Sequence, residues 1–242
     1  GNLTELRTLN LNNNSLEGPI PAELENLTKV YRLDIDNNLF GTINPDKKSA
    51  TLKGASAGNN RQIPDALAAL LQMDTLYLGG NNLQFNDIEA IFSWNNYASF
   101  EDFIYYPQGL IGTEKNVEKM ENEAVIITID NYFPGSSDKY QWYKDGKPIT
   151  GENNSQLQLT NLELTDEGNY YCRITNTVAT KLILTSRTFR LEVNEKIAGA
   201  GIPLSEYLAL EEIYSTCNGE NWNNNNNWLD TVNFEVNDWY GI

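Results

Sequence analysis

The sequence predicts a multidomain chain: a short α/β solenoid, an all-β sandwich and a small helical cap, in that order. Three observations carry this expectation. Leu3, Leu6, Leu9 and Leu11 recur 24 residues on as Leu27, Val30, Leu33 and Ile35, and a fixed period of that length marks turns that bury apolar residues only by stacking on the next. Between Val125 and Val193 short runs of alternating apolar residues are broken by turn signals, as sandwich strands are. Pro203 then opens a stretch with Leu204, Tyr207, Leu208, Leu210, Ile213 and Tyr214 at helical spacing.

Composition narrows the function classes. The chain has 242 residues, 33 acidic and 17 basic, for a net charge of -16. The acidic excess holds in every segment: 13 against 7 over 1–106, 12 against 9 over 107–194, and 8 against 1 over 195–242. Nucleic acid and anionic membrane both need Lys and Arg to neutralise phosphate, so neither is an expected partner. No apolar run approaches the ~20 residues of a membrane span. The absence of His removes His-based triads and HExxH zinc sites together. Two cysteines, Cys172 and Cys217, are too few for a disulfide framework or a four-Cys metal site. The expected class is not an enzyme, with no cofactor and no metal. Four N-x-S/T sequons begin at Asn2, Asn13, Asn26 and Asn153. They are glycan acceptors in a secretory host and chance matches in an Asn-rich chain otherwise.

Residues 1–108 are expected to form about four turns. Leu9, Leu11, Asn14, Leu16, Gly18, Ile20 and Pro21 spell LxLxxNxLxGxIP, which resembles the leucine-rich repeats of plant-type receptor ectodomains, a type that also occurs in bacterial surface proteins. Leu33, Ile35, Leu39 and Ile43 continue it with Gly41 in place, and Asn37 rather than Asn38 is read as the asparagine, with a one-residue deletion. Leu52 starts an irregular third turn that ends at Ile63-Pro64. Leu76, Leu78, Asn81 and Leu83 make the fourth. Leu9 and Leu11 point inward from a short strand while Thr8, Asn10 and Asn12 point out. Asn14 is expected to bond backbone at the bend, and Pro21 and Pro64 to start the convex segments. Asp87 to Trp94 reads as a helix, and Phe103-Ile104-Tyr105 as a last strand whose aromatics close the core. Asp34-x-Asp36-x-Asn38 imitates the start of a calcium loop, but Leu39 and Pro45 stand where Gly and Glu are required, so metal binding is rejected.

Residues 109–194 carry Asp166-x-Gly168-x-Tyr170-x-Cys172 and, thirty residues earlier, Trp142. These resemble the tyrosine corner and core tryptophan of an I-set-like immunoglobulin domain. Val125, Ile127 and Ile129 would be strand B, Leu157 and Leu159 strand E, and Phe189, Leu191 and Val193 strand G, with a turn at Asp145-Gly146. The first cysteine of that family is absent: Ile127 or Ile129 stands in its place, leaving Cys172 as a buried free thiol.

Residues 195–202 read as a small-residue linker, and 203–242 resemble the N-terminal cap of a following leucine-rich repeat. Gly1 falls inside a repeat and the chain stops where a new one should begin, so a fragment of a larger surface protein is expected. The cap tryptophans Trp222, Trp228 and Trp239 could meet the uncapped first repeat of another copy head to tail, or that repeat could simply fray.

The resemblances together imply a non-enzymatic recognition or adhesion module outside the cell or on its surface. Its partner would be a protein, bound through the concave solenoid face at Tyr31, Arg32, Asp34, Asp36, Lys53, Thr75 and Tyr77, and through the immunoglobulin-like domain as well. Two alternatives stay open: a structural spacer, and a glycan-binding module whose tyrosines stack on sugar. Two aromatics in line would favour sugar, and a lone Tyr beside charges would favour protein.

Overall fold

The computed structural model describes residues 3–41, 62–195, 202–223, 225, 228 and 229. It divides into two compact units. One gathers the described residues up to 113 with 129–155 and 171–187, and the other gathers 114–128, 156–170 and the described residues from 188 onward.

The first unit begins with β1 (Thr8–Asn10), β2 (Glu17–Gly18), β3 (Arg32–Asp34), β4 (Leu39–Phe40), β5 (Thr75–Tyr77), α1 (Phe85–Phe92) and β6 (Asp102–Ile104). A parallel sheet runs β1-β3-β5-β6, while β2 pairs with β4. Leu9, Leu33, Leu76 and Phe103 occupy one register row. Only alternate residues of such short strands can face inward, so every turn contributes the same two positions. Leu33, Ile35, Leu76 and Leu78 are each 1 % exposed. Pro21 and Pro64 sit at the N-cap positions of the 3-10 turns Ala22–Asn26 and Asp65–Ala69. Their fixed φ suits that entry.

Side-chain amides bind the turns together. Asn38 Nδ2 donates to the carbonyls of Leu11, Ile35 and Asp36 at 3.0–3.1 Å. Asn81 repeats this one turn later on Ile35, Leu78 and Gly79. Their Oδ1 atoms accept from the Leu16 and Phe40 amides. Gln108 ends the ladder, donating to Leu78 and Tyr105 and accepting from the Leu83 amide. Asn14 makes only the two local bonds, to Leu11 and Asn12, and is exposed.

This ladder corrects the second turn. Asn38, not Asn37, is the inward asparagine, because Asn37 takes the left-handed conformation (φ 52) that turns the chain, as Asn13 (φ 55) does before Asn14. Phe40 is buried at 6 % and Leu39 is 44 % exposed, so the core position is also one residue later than expected. β2 and β4 pair with Gly18 opposite Phe40, an offset of 22 residues where β1 and β3 have 24, so the register shifts ahead of β4, and Gly41 takes a φ of 86 close to the 83 of Gly18. β3 bonds directly to β5 in register. Leu33 to Leu76, Asn38 to Asn81 and Pro21 to Pro64 are each separated by 43 residues. The residues between these paired positions from Thr42 to Arg61, on which most of the expected third turn falls, lie outside the described ones. Leu52, Lys53 and Ile43 lie outside the described residues.

Farther on come β7 (Lys115–Met120), β8 (Val125–Ile127), β9 (Asp138–Lys144), β10 (Lys147–Pro148), β11 (Leu157–Leu159), β12 (Gly168–Asn176), β13 (Leu184–Thr185) and β14 (Phe189–Asn194). One sheet is ordered β10-β9-β12-β14-β7 with β13 on β12, and β11 pairs with β8. In the first unit, Asp145 (φ 48) and Gly146 (φ 80) make the tight β9–β10 turn. Trp142 is 1 % exposed and its indole N–H donates to the Asn154 carbonyl at 2.9 Å. Cys172 is fully buried, and both cysteines are free thiols. The Cys172 amide donates to Ser186 Oγ at 2.9 Å, satisfying a backbone group inside the core. In the second unit, β14 pairs in parallel with β7 and antiparallel with the start of β12. The Tyr170 hydroxyl donates to the Asp166 carbonyl at 2.6 Å, the hydrogen bond of a tyrosine corner.

α2 (Leu204–Thr216) follows in the second unit, entered at Pro203. None of its residues is buried, with Leu208 half exposed. Tyr214 instead packs on Trp222 and Trp228 with ring centroids 5.5 and 5.7 Å away, and the two tryptophans lie 5.1 Å from each other. Trp239 lies outside the described residues. Among the described residues no helix is long and apolar enough to cross a membrane.

Candidate functional site

The outward face of β1-β3-β5-β6 is built by the same alternation that fills the core. Arg32, Thr75 and Asp102 share one row, and Asp34, Tyr77 and Ile104 the next. Five of the expected residues therefore meet on one surface: Arg32, Asp34 and Asp36, with Thr75 and Tyr77 beside them. Tyr31 stands just ahead of β3 and is 42 % exposed.

Their environments differ from the simple expectation. Asp34 was expected as an outward strand position, yet it is 3 % exposed. Arg32 Nη2 lies 3.3 Å from its Oδ2 and Asn12 Nδ2 donates to the same oxygen at 3.2 Å, so the carboxylate is covered by its own partners. The Arg32 guanidinium also lies 4.7 Å from the centre of the Tyr77 ring, a cation–π contact that occupies one face of the ring. The Tyr77 hydroxyl donates to Asp102 Oδ2, and that bond holds the phenol in its protonated form and raises its pKa. Thr75 Oγ1 donates to Asp74 Oδ1 at 2.8 Å. Partial burial raises the Asp36 pKa, the Gly79 amide opposing the shift and the Asp34 carboxylate adding to it. Three carboxylates, Asp34, Asp36 and Asp102, thus surround the single cation Arg32 on the outward strand positions that are described.

No stacking contact joins Tyr31 to Tyr77, and Tyr77 is flanked by Arg32 and Asp102. That is the arrangement of a lone aromatic beside charges.

A second polar cluster escaped the sequence reading. Within the first unit Glu89 of α1 accepts from the Ser136 amide at 2.7 Å, the Ser136 hydroxyl at 2.9 Å, the Ser137 amide at 3.3 Å and the Asn176 side chain. Burial alone would raise the Glu89 pKa, but these donors outweigh it and hold it low. Asn176 also donates to Asp138 at 2.8 Å. Gln84 clasps the same region, donating to the Asn131 carbonyl and accepting from the Phe133 amide. The partners are 38 to 87 residues apart, so no local pattern announces them. Beside them Phe92, Tyr97, Phe100, Phe103 and Tyr105 form a run of ring contacts 4.8–6.2 Å between centroids, and these aromatics cover the last turn.

Family models match two stretches: "Leucine Rich Repeat" over residues 5–27 and "Immunoglobulin domain" over residues 111–176. No curated protein matches the chain. Solved structures similar to part of it include extracellular domains 3–5 of Drosophila OTK, at 20 % identity over 34 % of this chain and 33 % of that one, with a TM-score of 0.29. The V domain of amphioxus IgVJ-C2 is 20 % identical over 32 % and 98 %, TM-score 0.27. The N-terminal four immunoglobulin domains of Dscam1 isoform 4.44 are 18 % identical over 35 % and 21 %, TM-score 0.29. The chain spans about a third of the Drosophila segment that it matches.

Proposed function

We propose, for a chain that carries a leucine-rich repeat followed by an immunoglobulin-like domain, a non-enzymatic protein-recognition module displayed outside the cell. In this reading residues 1–108 are a short solenoid, 109–194 the immunoglobulin-like domain, 195–202 a linker and 203–242 the cap of a further solenoid, helped by the Tyr214–Trp222–Trp228 cluster. The observation that carries the binding function is the Arg32–Tyr77 pair set among Asp34, Asp36 and Asp102 on the outward sheet face. Tyr and Arg are the residue types that concentrate binding energy. Here the neighbours fix their rotamers, so little entropy is lost on contact. Arg32 is already neutralised by Asp34, which leaves Asp36 and Asp102 to set the sign: the partner presents Lys or Arg. Sugar stacking is disfavoured because the guanidinium covers one face of Tyr77.

The test is titration of the protein with a lysine-rich peptide and its norleucine counterpart. Binding of the first only, weakened at least tenfold by Tyr77→Ala and several-fold by Asp102→Asn, supports the reading; indifference to both variants sinks it. The spacer reading draws on one observation, the clamp of Glu89 on Ser136, Ser137 and Asn176, which makes the leucine-rich segment and these strands one stiff piece.

A further inference from the structure

The outward face of β9 and β12, in the first unit, carries a feature that the leucine-rich sheet does not explain. Inward positions are closed: Trp142, Cys172 and Ile174 are at most 1 % exposed. The residues between them face out. Tyr143 and Tyr171 stack there with ring centroids 4.9 Å apart and planes only 4° from parallel. Arg173, two residues along the same face, lays its guanidinium 5.1 Å from the Tyr143 ring centre and 6.0 Å from that of Tyr171. The residue is exposed, and its guanidinium makes no hydrogen bond or ion pair with any described residue. Its five donors therefore point to solvent from a rigid aromatic seat.

The surroundings fix what fits it. The outward positions of β9, and of β12 from Tyr171 onward, hold Lys139, Gln141, Tyr143, Tyr171, Arg173 and Thr175 and no carboxylate, in a chain with 33 acidic residues against 17 basic. A stacked guanidinium presents its edge as a two-pronged donor, which matches a carboxylate bidentately. The tyrosine pair supplies apolar area beside it at small entropic cost. The outward leucine-rich face, by contrast, gathers Asp34, Asp36 and Asp102.

We propose that Arg173, seated on Tyr143 and Tyr171, is the anchor of a second docking surface that takes an acidic segment of a partner protein, with Lys139 adding attraction at the rim. This goes beyond the recognition site on the leucine-rich sheet and is of opposite charge preference, so the two stand or fall separately.

The experiment is titration of the full chain with a blocked peptide alternating Glu and Ser and with its Gln–Ser isostere, followed by fluorescence anisotropy at low and high salt. The Glu peptide is expected to bind, more weakly as salt rises, and the Gln peptide not to. Arg173→Gln is expected to lower affinity at least tenfold and Arg173→Lys at least threefold, since an ammonium loses the fork and the stack. Tyr143→Phe keeps the ring and should bind as the parent, while Tyr143→Leu should not. Tyr77→Ala and Asp102→Asn should leave this binding unchanged. A denaturant midpoint for each variant separates lost contact from lost fold. Equal binding of the Gln peptide, or unaltered affinity in a folded Arg173→Gln variant, overturns the proposal. So does binding of an acidic oligosaccharide without the peptide.

Discussion

Replacing Asn81 by Ala tests the amide ladder at its most demanding rung. The side chain is 2 % exposed and makes four hydrogen bonds, three as donor and one as acceptor. The loss is uneven across them. Each carbonyl keeps another donor: the Ile35 oxygen retains Asn38, the Leu78 oxygen retains Gln108, and the Gly79 oxygen retains the Asn37 amide. Those three losses cost about 0.5 kcal/mol apiece at the low end of the net range. The Phe40 amide loses its acceptor inside the core, a penalty of about 1–3 kcal/mol. The sum is about 3 kcal/mol. Asn14→Ala is the matched control, because the same residue type in the same motif makes two local bonds in water and should cost no more than about 0.5 kcal/mol. Urea unfolding with a common slope measures both. A difference below about 1 kcal/mol between the two variants would refute the claim that burial of the ladder, rather than the asparagine motif, stabilises the segment.

Three further outcomes follow from other sites. Burial pushes the Cys172 thiol up to about 12, against a backbone hydrogen bond from Gln141, whereas Cys217 is exposed; Ellman's reagent at pH 8 should therefore find one fast thiol and release the second only on unfolding, and two fast thiols would contradict the buried assignment. Glu89 has a lowered pKa, so its contribution is present above the unfolded value and fades as pH falls through the folded one. The deficit of Glu89→Gln should thus be full near pH 7 and shrink below pH of about 4, and a pH-independent deficit would show that charge plays no part in the clamp. Ser186→Ala leaves the Cys172 amide without its Oγ acceptor and the Arg187 carbonyl without that donor. A loss of about 1–2 kcal/mol is expected in thermal or urea unfolding.

What the residues revealed depended on distance along the chain. The proline entries, the buried Trp142 and the tyrosine corner are local signals, and the structure places each where such a signal predicts, while the leucine spacing holds for Leu33, Ile35, Leu76 and Leu78 and slips by one residue at Phe40. Asn38 stands 24 residues after Asn14, so the period itself points to it; the left-handed φ of 52 at Asn37 shows why the neighbouring asparagine is the turn residue instead. Gln108 was unrecognised as a rung because it replaces Asn with a side chain one methylene longer. Asp34 looked exposed because alternation says which way a side chain points but not which neighbours cover it. The Glu89 clamp and the Arg173 seat join residues that only the fold brings together, so neither leaves a pattern in the sequence.

The bonds that Gly18 and Ile20 make have a practical corollary. The Gly41 amide bonds the Gly18 carbonyl at 3.1 Å, and the Ile20 amide bonds the Gln62 carbonyl at 2.9 Å. Two groups 21 residues apart in the sequence, Gly41 and Gln62, are thus held at points separated only by Pro19. Pro19 therefore acts as a spacer of fixed φ between two clamps, and a change of backbone direction at that one residue displaces both at once.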